Sequence, residues 1–273
     1  MSVLKAIFDF YLNASIHVAL AVCALVGVTW MHFELPWDYS LLAFVFFGSI
    51  TGYNFIKYAG RARFHHRSLT RDLRAIQIFS LLCFIVLGWF AIDLPEEVWW
   101  TLGISALLTF LYAVPFVRLK SLRTLAGIKI FIVALVWAGV TVVVPLHAAG
   151  LSMDWDIWVT TLQRFLLVIA LTLPFEIRDM NYDAIALATI PQQWGVRRTK
   201  FLGVVMLLLV VISEFLKDEL NLGYWVIEVL VCIDIAFVLI IAQKEQPRYF
   251  ASFVVESIPI VWCLLLFLFG KLF

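Results

Sequence analysis

Nine apolar runs, each close to the length of a membrane span, divide this chain from one end to the other. A run of about 20 apolar residues can cross a bilayer as one α-helix, which satisfies its own backbone hydrogen bonds. The sequence therefore predicts an all-α integral membrane protein, a nine-transmembrane-helix bundle forming a single domain over residues 1–273. The predicted spans lie near residues 12–33, 39–58, 75–93, 98–116, 125–147, 157–175, 201–216, 222–243 and 250–270.

The composition excludes a water-soluble domain. Hydrophobic residues make up 64% of the chain and charged residues 14%, whereas soluble domains carry about 25% charged residues. The net charge is +1, and the basic residues fall in alternate loops, which is an orientation signal and not a nucleic-acid signal. The expected partners are therefore the membrane and its lipids, with no nucleic acid, and a protein partner is left open.

Basic and acidic residues occupy loops at opposite ends of the predicted spans. Basic clusters follow the second, fourth, sixth and eighth runs, whereas the other loops carry acidic residues such as Asp38, Glu97 and Asp154. Loops rich in Lys and Arg stay in the cytoplasm. We therefore expect a multi-pass protein of the inner, cytoplasmic membrane, with its N-terminus in the cytoplasm and its C-terminus outside.

Four charged residues lie inside predicted spans, where a charge at mid-depth costs about 2.5–3.5 kcal/mol. They are Arg164, Glu228, Asp234 and Glu256, and each is expected to face the bundle interior. Arg164 and Glu228 lie at similar depth, which favours an ion pair, with a proton or ion pathway as the alternative. A transporter is disfavoured, because no pair of hydrophobic segments is interrupted by Gly or Pro as in transporter repeats.

Three carboxylates follow the sixth run at a helical spacing. Glu176, Asp179 and Asp183 stand at i, i+3 and i+7, which places them along one face of a helix. Like charges this close repel each other unless a cation lies among them, and hard oxygen ligands suit Mg²⁺ bridging to a phosphorylated ligand. A solvated helix end is the alternative that spacing alone leaves open.

The segment around these carboxylates resembles a known motif. PFEIRDMNYDAIALATIPQQWGVRRTK, residues 174 to 200, is similar to the second aspartate-rich motif of the UbiA-type intramembrane prenyltransferases, close to DIRDxxxDxxxGxxTLPxxxG. Glu176 stands where the family has its first Asp. The positions that match the motif are Arg178, Asp179, Asp183, Thr189, Pro191 and Gly195.

The resemblance extends to LYAVPFVRLKSLRTLAGIKI, residues 111 to 130, which looks like the family's phosphate-holding loop and contains Lys120 and Arg123. The family implies a central lipid cavity capped on the cytoplasmic side. There Mg²⁺ helps to ionise an isoprenyl diphosphate, and the prenyl group passes to an aromatic or other lipophilic acceptor. By this resemblance Asp179 and Asp183 are catalytic and bind metal with Glu176. Arg178 would contact the diphosphate.

The first motif of the family departs from its usual form. The pattern NDxxDxxxD corresponds here to NFIKYAGRA, residues 54 to 62, in which Asn54 remains and all three aspartates are replaced. Lys57 and Arg61 follow on the same helical face. Two cations and no anionic oxygen cannot hold a divalent metal. Mg²⁺ is therefore expected at the second motif only.

Two outcomes remain open for these cations. Lys57 and Arg61, with Asn54, bind the diphosphate directly through charge-assisted hydrogen bonds, which preserves a prenyltransferase or a lipid-diphosphate binder. Alternatively they pair with Asp179 and Asp183, which makes the chain a noncatalytic relative that binds a lipid or partner in a membrane assembly. The nearly intact second motif favours a lipid diphosphate ligand.

Overall fold

The chain is a bundle of α-helices in the computed structural model, which describes residues 3–62, 71–114, 127–180 and 189–270 and contains no strand within those ranges. The α-helices are α1 Val3–Asn13, α2 Ile16–His32, α3 Tyr39–Ala62, α4 Arg71–Ala91, α5 Trp99–Ala113, α6 Lys129–Ala138, α7 Val144–Ala148, α8 Trp155–Asp179, α9 Ile190–Ser213, α10 Leu222–Ile241 and α11 Glu256–Phe269. Short 3-10 helices cover Glu96–Val98 and Glu214–Leu216. Two π-helices, Gly139–Val143 and Phe250–Val255, continue directly into α7 and α11.

The all-helical membrane architecture is confirmed, but the count of nine spans is not. Seven helical stretches in the described ranges are long and apolar enough to cross a membrane, and α1 with α2 adds an eighth if the bent pair is one span. Among the described residues of the predicted span 98–116, the α-helix covers Trp99–Ala113, preceded by the 3-10 helix Glu96–Val98. The 15 residues of this α-helix are fewer than the about 20 that a span needs. The predicted cavity cap, formed by the loops after the second and sixth runs, is not confirmed either, because residues 63–70 and 181–188 lie outside the described ranges.

The first predicted span is broken near its start. The apolar run 12–33 predicts one straight helix, whereas α1 and α2 meet at an angle of 54°. Ser15 lies at this break in the left-handed conformation, with φ 63°. A non-glycine residue adopts that conformation only where surrounding contacts hold it. The contacts that do so come from α3.

Helix α8 forms the centre of the bundle, whereas α4 lies at its edge. Of the residues in the most apolar part of each span, 67% are buried in α8 and 11% in α4. The outward faces carry exposed large apolar side chains such as Leu81, Phe84 and Phe201. Such surface is stable in contact with lipid and not with water, which agrees with the predicted membrane location.

A glycine allows three of these helices to pack closely. A Cβ atom added at Gly203 of α9 would meet Leu239 of α10 and would lie 2.8 Å from the Leu173 side chain of α8. Small residues permit such close approach of helices in membranes, where van der Waals packing drives association.

Side chains of α2 bond to the backbone of both π-helices. Thr29 Oγ1 donates to the Thr141 carbonyl oxygen at 2.6 Å, and His17 Nε2 donates to the Phe253 carbonyl oxygen at 3.0 Å. The opposite ring nitrogen of His17 lies 2.6 Å from the Tyr11 hydroxyl, which donates to it. Because a π-helix departs from the α-helical bonding pattern, its carbonyl groups can accept such bonds. Polar contacts therefore hold α2 near both of its ends.

Three of the four intramembrane charges lie at least partly inside the bundle, and the fourth does not. Arg164 and Glu228 are buried, Glu256 is half-buried, and Asp234 is exposed. The inward-facing prediction is therefore wrong for Asp234. Its position on α10 falls on the same face as Leu230 and Phe237, which are 54% and 59% exposed.

Arg164 and Glu228, both within the described ranges, interact electrostatically but do not form the predicted direct ion pair. The Arg164 guanidinium donates to the Leu25 carbonyl oxygen at 3.0 Å and lies 5.2 Å from the centre of the Trp262 ring. Glu228 interacts with Arg164 electrostatically. Both border a small cavity of about 20 Å³, enough for one water molecule. The other polar side chains lining it include Thr29, His32, Gln163 and Lys217.

Candidate functional site at the basic end of the bundle

Charged side chains from four helices gather at one end of the bundle, which we call the basic end. It is the end at which α3 and α8 finish and at which α6 and α11 begin. The antiparallel course of these helices brings together groups that are far apart in sequence. The charged residues of this cluster are Lys57, Lys129, Glu176, Arg178, Asp179 and Glu256.

Lys129, the first residue of α6, lies against two of the predicted metal ligands. Its Nζ is 2.7 Å from Glu176 Oε1 and 3.8 Å from Asp179 Oδ2. The Glu176 residue is 3% exposed, so the shorter contact is a buried ion pair. An ammonium group therefore occupies the space beside the carboxylates where the sequence predicts a metal.

Asp179 is also paired with its neighbour in sequence. Arg178 Nε donates to Asp179 Oδ1 at 2.8 Å, and the Arg178 guanidinium lies 5.4 Å from the centre of the Phe175 ring. One carboxylate thus has two cations close to it. Arg178 and Asp179, which the motif places side by side, form one charge-balanced unit at the end of α8.

Asn54, which remains from the first motif, is buried at the helix bend. Its Oδ1 accepts a hydrogen bond from Ser15 Oγ at 2.8 Å, and its Nδ2 donates to the Ala14 carbonyl oxygen at 3.1 Å. Ser15 Oγ in turn accepts a bond from Lys57 Nζ at 2.9 Å. Asn54 therefore supports the break between α1 and α2, and its contact with a diphosphate stays a prediction.

Glu256, the first residue of α11, is an acidic residue whose charge acts on Lys57. It interacts electrostatically with Lys57 and with Arg178. The Glu256 carboxylate therefore acts on Lys57 of the first motif and on Arg178 of the second motif. A cation on α3 and a cation on α8 share this one acidic neighbour.

The alternative in which Lys57 pairs with Asp179 is not formed between these two described residues. Asp179 contacts Lys129 and Arg178, whereas Lys57 bonds to Ser15. The side chain of Arg61 and residues 115–126 and 181–188 lie outside what the structure describes. The roles predicted for Arg61, Lys120, Arg123 and Asp183 therefore stay predictions.

The last part of the matched motif shapes the start of α9. The Thr189 backbone N–H donates to the Gln192 side chain at 3.0 Å, and Pro191 lies in the first turn, where its missing N–H is harmless. Gly195 then has φ 76° and interrupts the helical path, a conformation open to glycine. These three motif positions thus have a structural explanation in this chain.

A groove of about 270 Å³ opens between α3 and α4 beside Asn54. Its walls include Phe55 and Phe84, which are 40% and 58% exposed. Its polar atoms include Thr51 Oγ1, which is buried and has no hydrogen-bond partner within the described part of the chain. The groove is mainly apolar and lies directly outside the bend supported by Asn54.

Sequence reasoning missed Lys129 and Ser15 as members of the cluster. Lys129 is a lone cation near the start of the predicted span 125–147, and that position was a usable signal, since an intramembrane lysine needs a partner. Ser15 carries no such signal. Glu256 was expected to face inward, but its neighbours Lys57 and Arg178 could not be read from spacing.

The residues present do not fit a divalent metal well. Within the described ranges no group of three or more His, Cys, Asp or Glu side chains is placed to hold an ion. Mg²⁺ requires oxygen atoms at about 2.0–2.1 Å in octahedral geometry, and the Lys129 ammonium contacts both Glu176 and Asp179. The predicted Mg²⁺ site, which also includes Asp183, stays a prediction.

The fold is similar to that of a solved structure of digeranylgeranylglyceryl phosphate synthase in membranes. The match covers 97% of this chain and 96% of that chain, with a TM-score of 0.57 and 15% sequence identity. At this identity the likeness shows the fold alone. No protein-family model matches the chain, and no curated protein sequence matches it significantly. The chain is thus a multi-pass membrane protein whose fold is similar to that of this synthase.

Proposed function

We propose that this chain is a UbiA-type membrane prenyltransferase that moves an isoprenyl group from its diphosphate to a lipophilic or aromatic acceptor. One observation carries the proposal: three cations, Lys57, Lys129 and Arg178, lie with an equal number of carboxylates at the end of a helical bundle whose fold resembles that of a membrane synthase. Cations at the end of an apolar bundle suit a ligand with an anionic head and a hydrocarbon tail.

The chemistry requires the bond between the allylic carbon and the diphosphate oxygen to break. The diphosphate leaves with the electron pair, and the acceptor then supplies an electron pair to the allylic carbon and loses a proton. Charge develops on the leaving oxygen, and nearby cations stabilise it. Lys57 and Arg178 are the described residues that we propose for this role, and Arg61, Lys120 and Arg123 are proposed to assist.

A second candidate function is a noncatalytic protein that binds a lipid or a partner in a membrane assembly. The observation that favours it is the pairing of both described motif carboxylates, Glu176 with Lys129 and Asp179 with Arg178. In this candidate the cluster is an internal charge network. It holds helices together and does not turn over a substrate.

Diphosphate release separates the two candidates. The purified chain in lipid nanodiscs is given geranylgeranyl diphosphate and a panel of lipophilic acceptors, and released diphosphate and prenylated product are measured. We expect release that falls at least about tenfold in Arg178→Gln, the loss expected for one charge-assisted contact. Lys244→Gln, at an exposed loop position, is the matched control.

The possible results point in different directions. Saturable binding of the diphosphate without release or product supports the noncatalytic candidate. Absence of binding in the wild type, with the chain folded, contradicts the transferase proposal.

A further inference from the structure

We infer that the Lys129 ammonium takes the place of a divalent metal at the Glu176 and Asp179 carboxylates. The ligand class is an isoprenyl diphosphate, which rests on the proposed function. Its binding would then not require Mg²⁺. The placement of Lys129 is independent of that function and can be tested without any ligand.

The distances define the position of the charge. Lys129 Nζ lies 2.7 Å from Glu176 Oε1 and 3.8 Å from Asp179 Oδ2. One positive group thus bridges carboxylates one helical turn apart, as a metal ion would. A divalent ion at the same point would stand beside a fixed cation and would be repelled by it.

Burial makes this arrangement hard to displace. The Glu176 side chain is 4% exposed and the Lys129 side chain 22%. A carboxylate taken out of water is strongly destabilising unless its partner stays with it. Mg²⁺ could enter between the carboxylates only if the Lys129 ammonium moved away from Glu176. The ammonium would still lie near the end of an apolar span. Both changes oppose metal binding.

The same charge also determines whether an anion can approach. Without a cation, Glu176 and Asp179 would present two negative charges at the basic end and repel a diphosphate. Lys129 offsets one of these negative charges, and Arg178, which pairs with Asp179, offsets the other. The α8 carboxylates then present no net negative charge to an incoming anion. In this arrangement Lys129 is a positioning residue. A metal ion usually supplies such neutralisation.

Metal binding tests the inference directly. The purified full-length chain in nanodiscs is titrated with Mn²⁺ and bound metal is followed by electron paramagnetic resonance. We expect no saturable binding in the wild type at millimolar Mn²⁺. Lys129→Met should gain one Mn²⁺ site, because the Lys129 charge then no longer lies between Glu176 and Asp179. The gained site should disappear in the triple variant that adds Glu176→Gln and Asp179→Asn.

Saturable Mn²⁺ binding by the wild type that Glu176→Gln and Asp179→Asn together abolish would overturn the inference. So would a folded Lys129→Met variant that gains no site. If Lys129→Met does not fold, the Mn²⁺ titrations of Lys129→Arg and of the wild type still test the inference. Both proteins keep a positive charge at position 129 and should therefore exclude Mn²⁺. Thermal unfolding of each variant, with and without Mn²⁺, monitors folding.

Ligand binding adds a second readout. Geranylgeranyl diphosphate is titrated in EDTA and in Mg²⁺. We expect less than about a twofold difference between the two for the wild type. For Lys129→Met we expect affinity at least about tenfold weaker in EDTA, with recovery in Mg²⁺, a change that corresponds to about 1.4 kcal/mol.

Wild-type binding that requires Mg²⁺ contradicts the inference and leaves the proposed function standing. Absence of binding in both solutions contradicts the proposed function instead. In that case the Mn²⁺ titration still decides the role of Lys129.

Discussion

The Ser15 hydroxyl donates a 2.8 Å hydrogen bond to the Asn54 side-chain oxygen and thereby ties the break between α1 and α2 to α3. Ser15 is fully buried and holds the left-handed conformation, with φ 63°. The bond explains why an asparagine stands here although the aspartates of the motif are missing. The Asn54 side chain forms hydrogen bonds with Ser15 and with the Ala14 carbonyl at the break between α1 and α2.

Removing the Asn54 amide should therefore destabilise the chain without any ligand present. Asn54→Ala leaves the Ala14 carbonyl and the Ser15 hydroxyl with unmet bonds, and we expect a loss of about 1–3 kcal/mol. Thermal unfolding in detergent measures it. Gln77→Ala removes an amide from the same groove and should change stability by less than about 0.5 kcal/mol. Equal effects in both variants would contradict the structural role of Asn54.

Arg164 should be among the most sensitive positions of the bundle. Arg164→Leu removes three hydrogen bonds and removes one of the two cations, Arg164 and Lys217, that act on the buried Glu228. We expect a loss of about 3 kcal/mol or more. Adding Glu228→Gln should recover part of it, with a coupling of at least about 0.5 kcal/mol.

Chemical or thermal unfolding of both single variants and the double variant gives that coupling. Arg197→Leu, at an exposed position, is the control and should change little. Strict additivity of the Arg164 and Glu228 effects would show that the two groups do not interact.

Replacement of Asp234 should favour membrane insertion. This carboxylate is exposed on α10 among apolar side chains, and aspartate is too short to reach the interface as lysine does. Asp234→Leu should lower the apparent insertion free energy of α10 by about 2.5–3.5 kcal/mol, measured by glycosylation of an isolated α10 segment. Leu230→Asp, on the same face, should act in the opposite direction. A neutral Asp234→Leu result would contradict a position of this carboxylate near the middle of the membrane-spanning part of α10.

The orientation predicted from the loops depends on α5. If the bent pair, α3, α4, α5 and the five later spans all cross, the N-terminus and C-terminus lie on opposite sides, with Met1 in the cytoplasm. Reporter fusions at Met1 and Phe273 test this. Because α5 has only 15 residues, fusions reporting the same side would indicate that α5 does not cross the membrane.

Hydrophobic length was enough to predict the helices but not their breaks. The run 12–33 contains no proline at the Ser15 break, so nothing local predicts the bend. Hydrogen bonds from α3, including those of the distant Asn54, hold it. Similarly, the short α5 lies within the apolar stretch 98–116, whose length alone predicts a full span.

The candidate site was predicted on α8 but not across helices. Glu176 and Asp179 follow from one segment, since helical spacing places them on one face, and Arg178 follows from the motif resemblance. The Lys129 contact depends on how α6 packs against α8. The neighbours of Glu256 depend on where α11 begins. Spacing within one segment carries no information on such tertiary contacts.

The bonds from α2 to the two π-helices also have a consequence for hydrogen exchange. Thr29 and His17 anchor α2 at two depths, and most of the helix is buried. Its amide protons should exchange with deuterium only when the whole bundle opens. Those of α4, which is 11% buried in the most apolar part of its span, should exchange during local detachment. The bundle should thus have a slow-exchanging centre and a fast-exchanging edge.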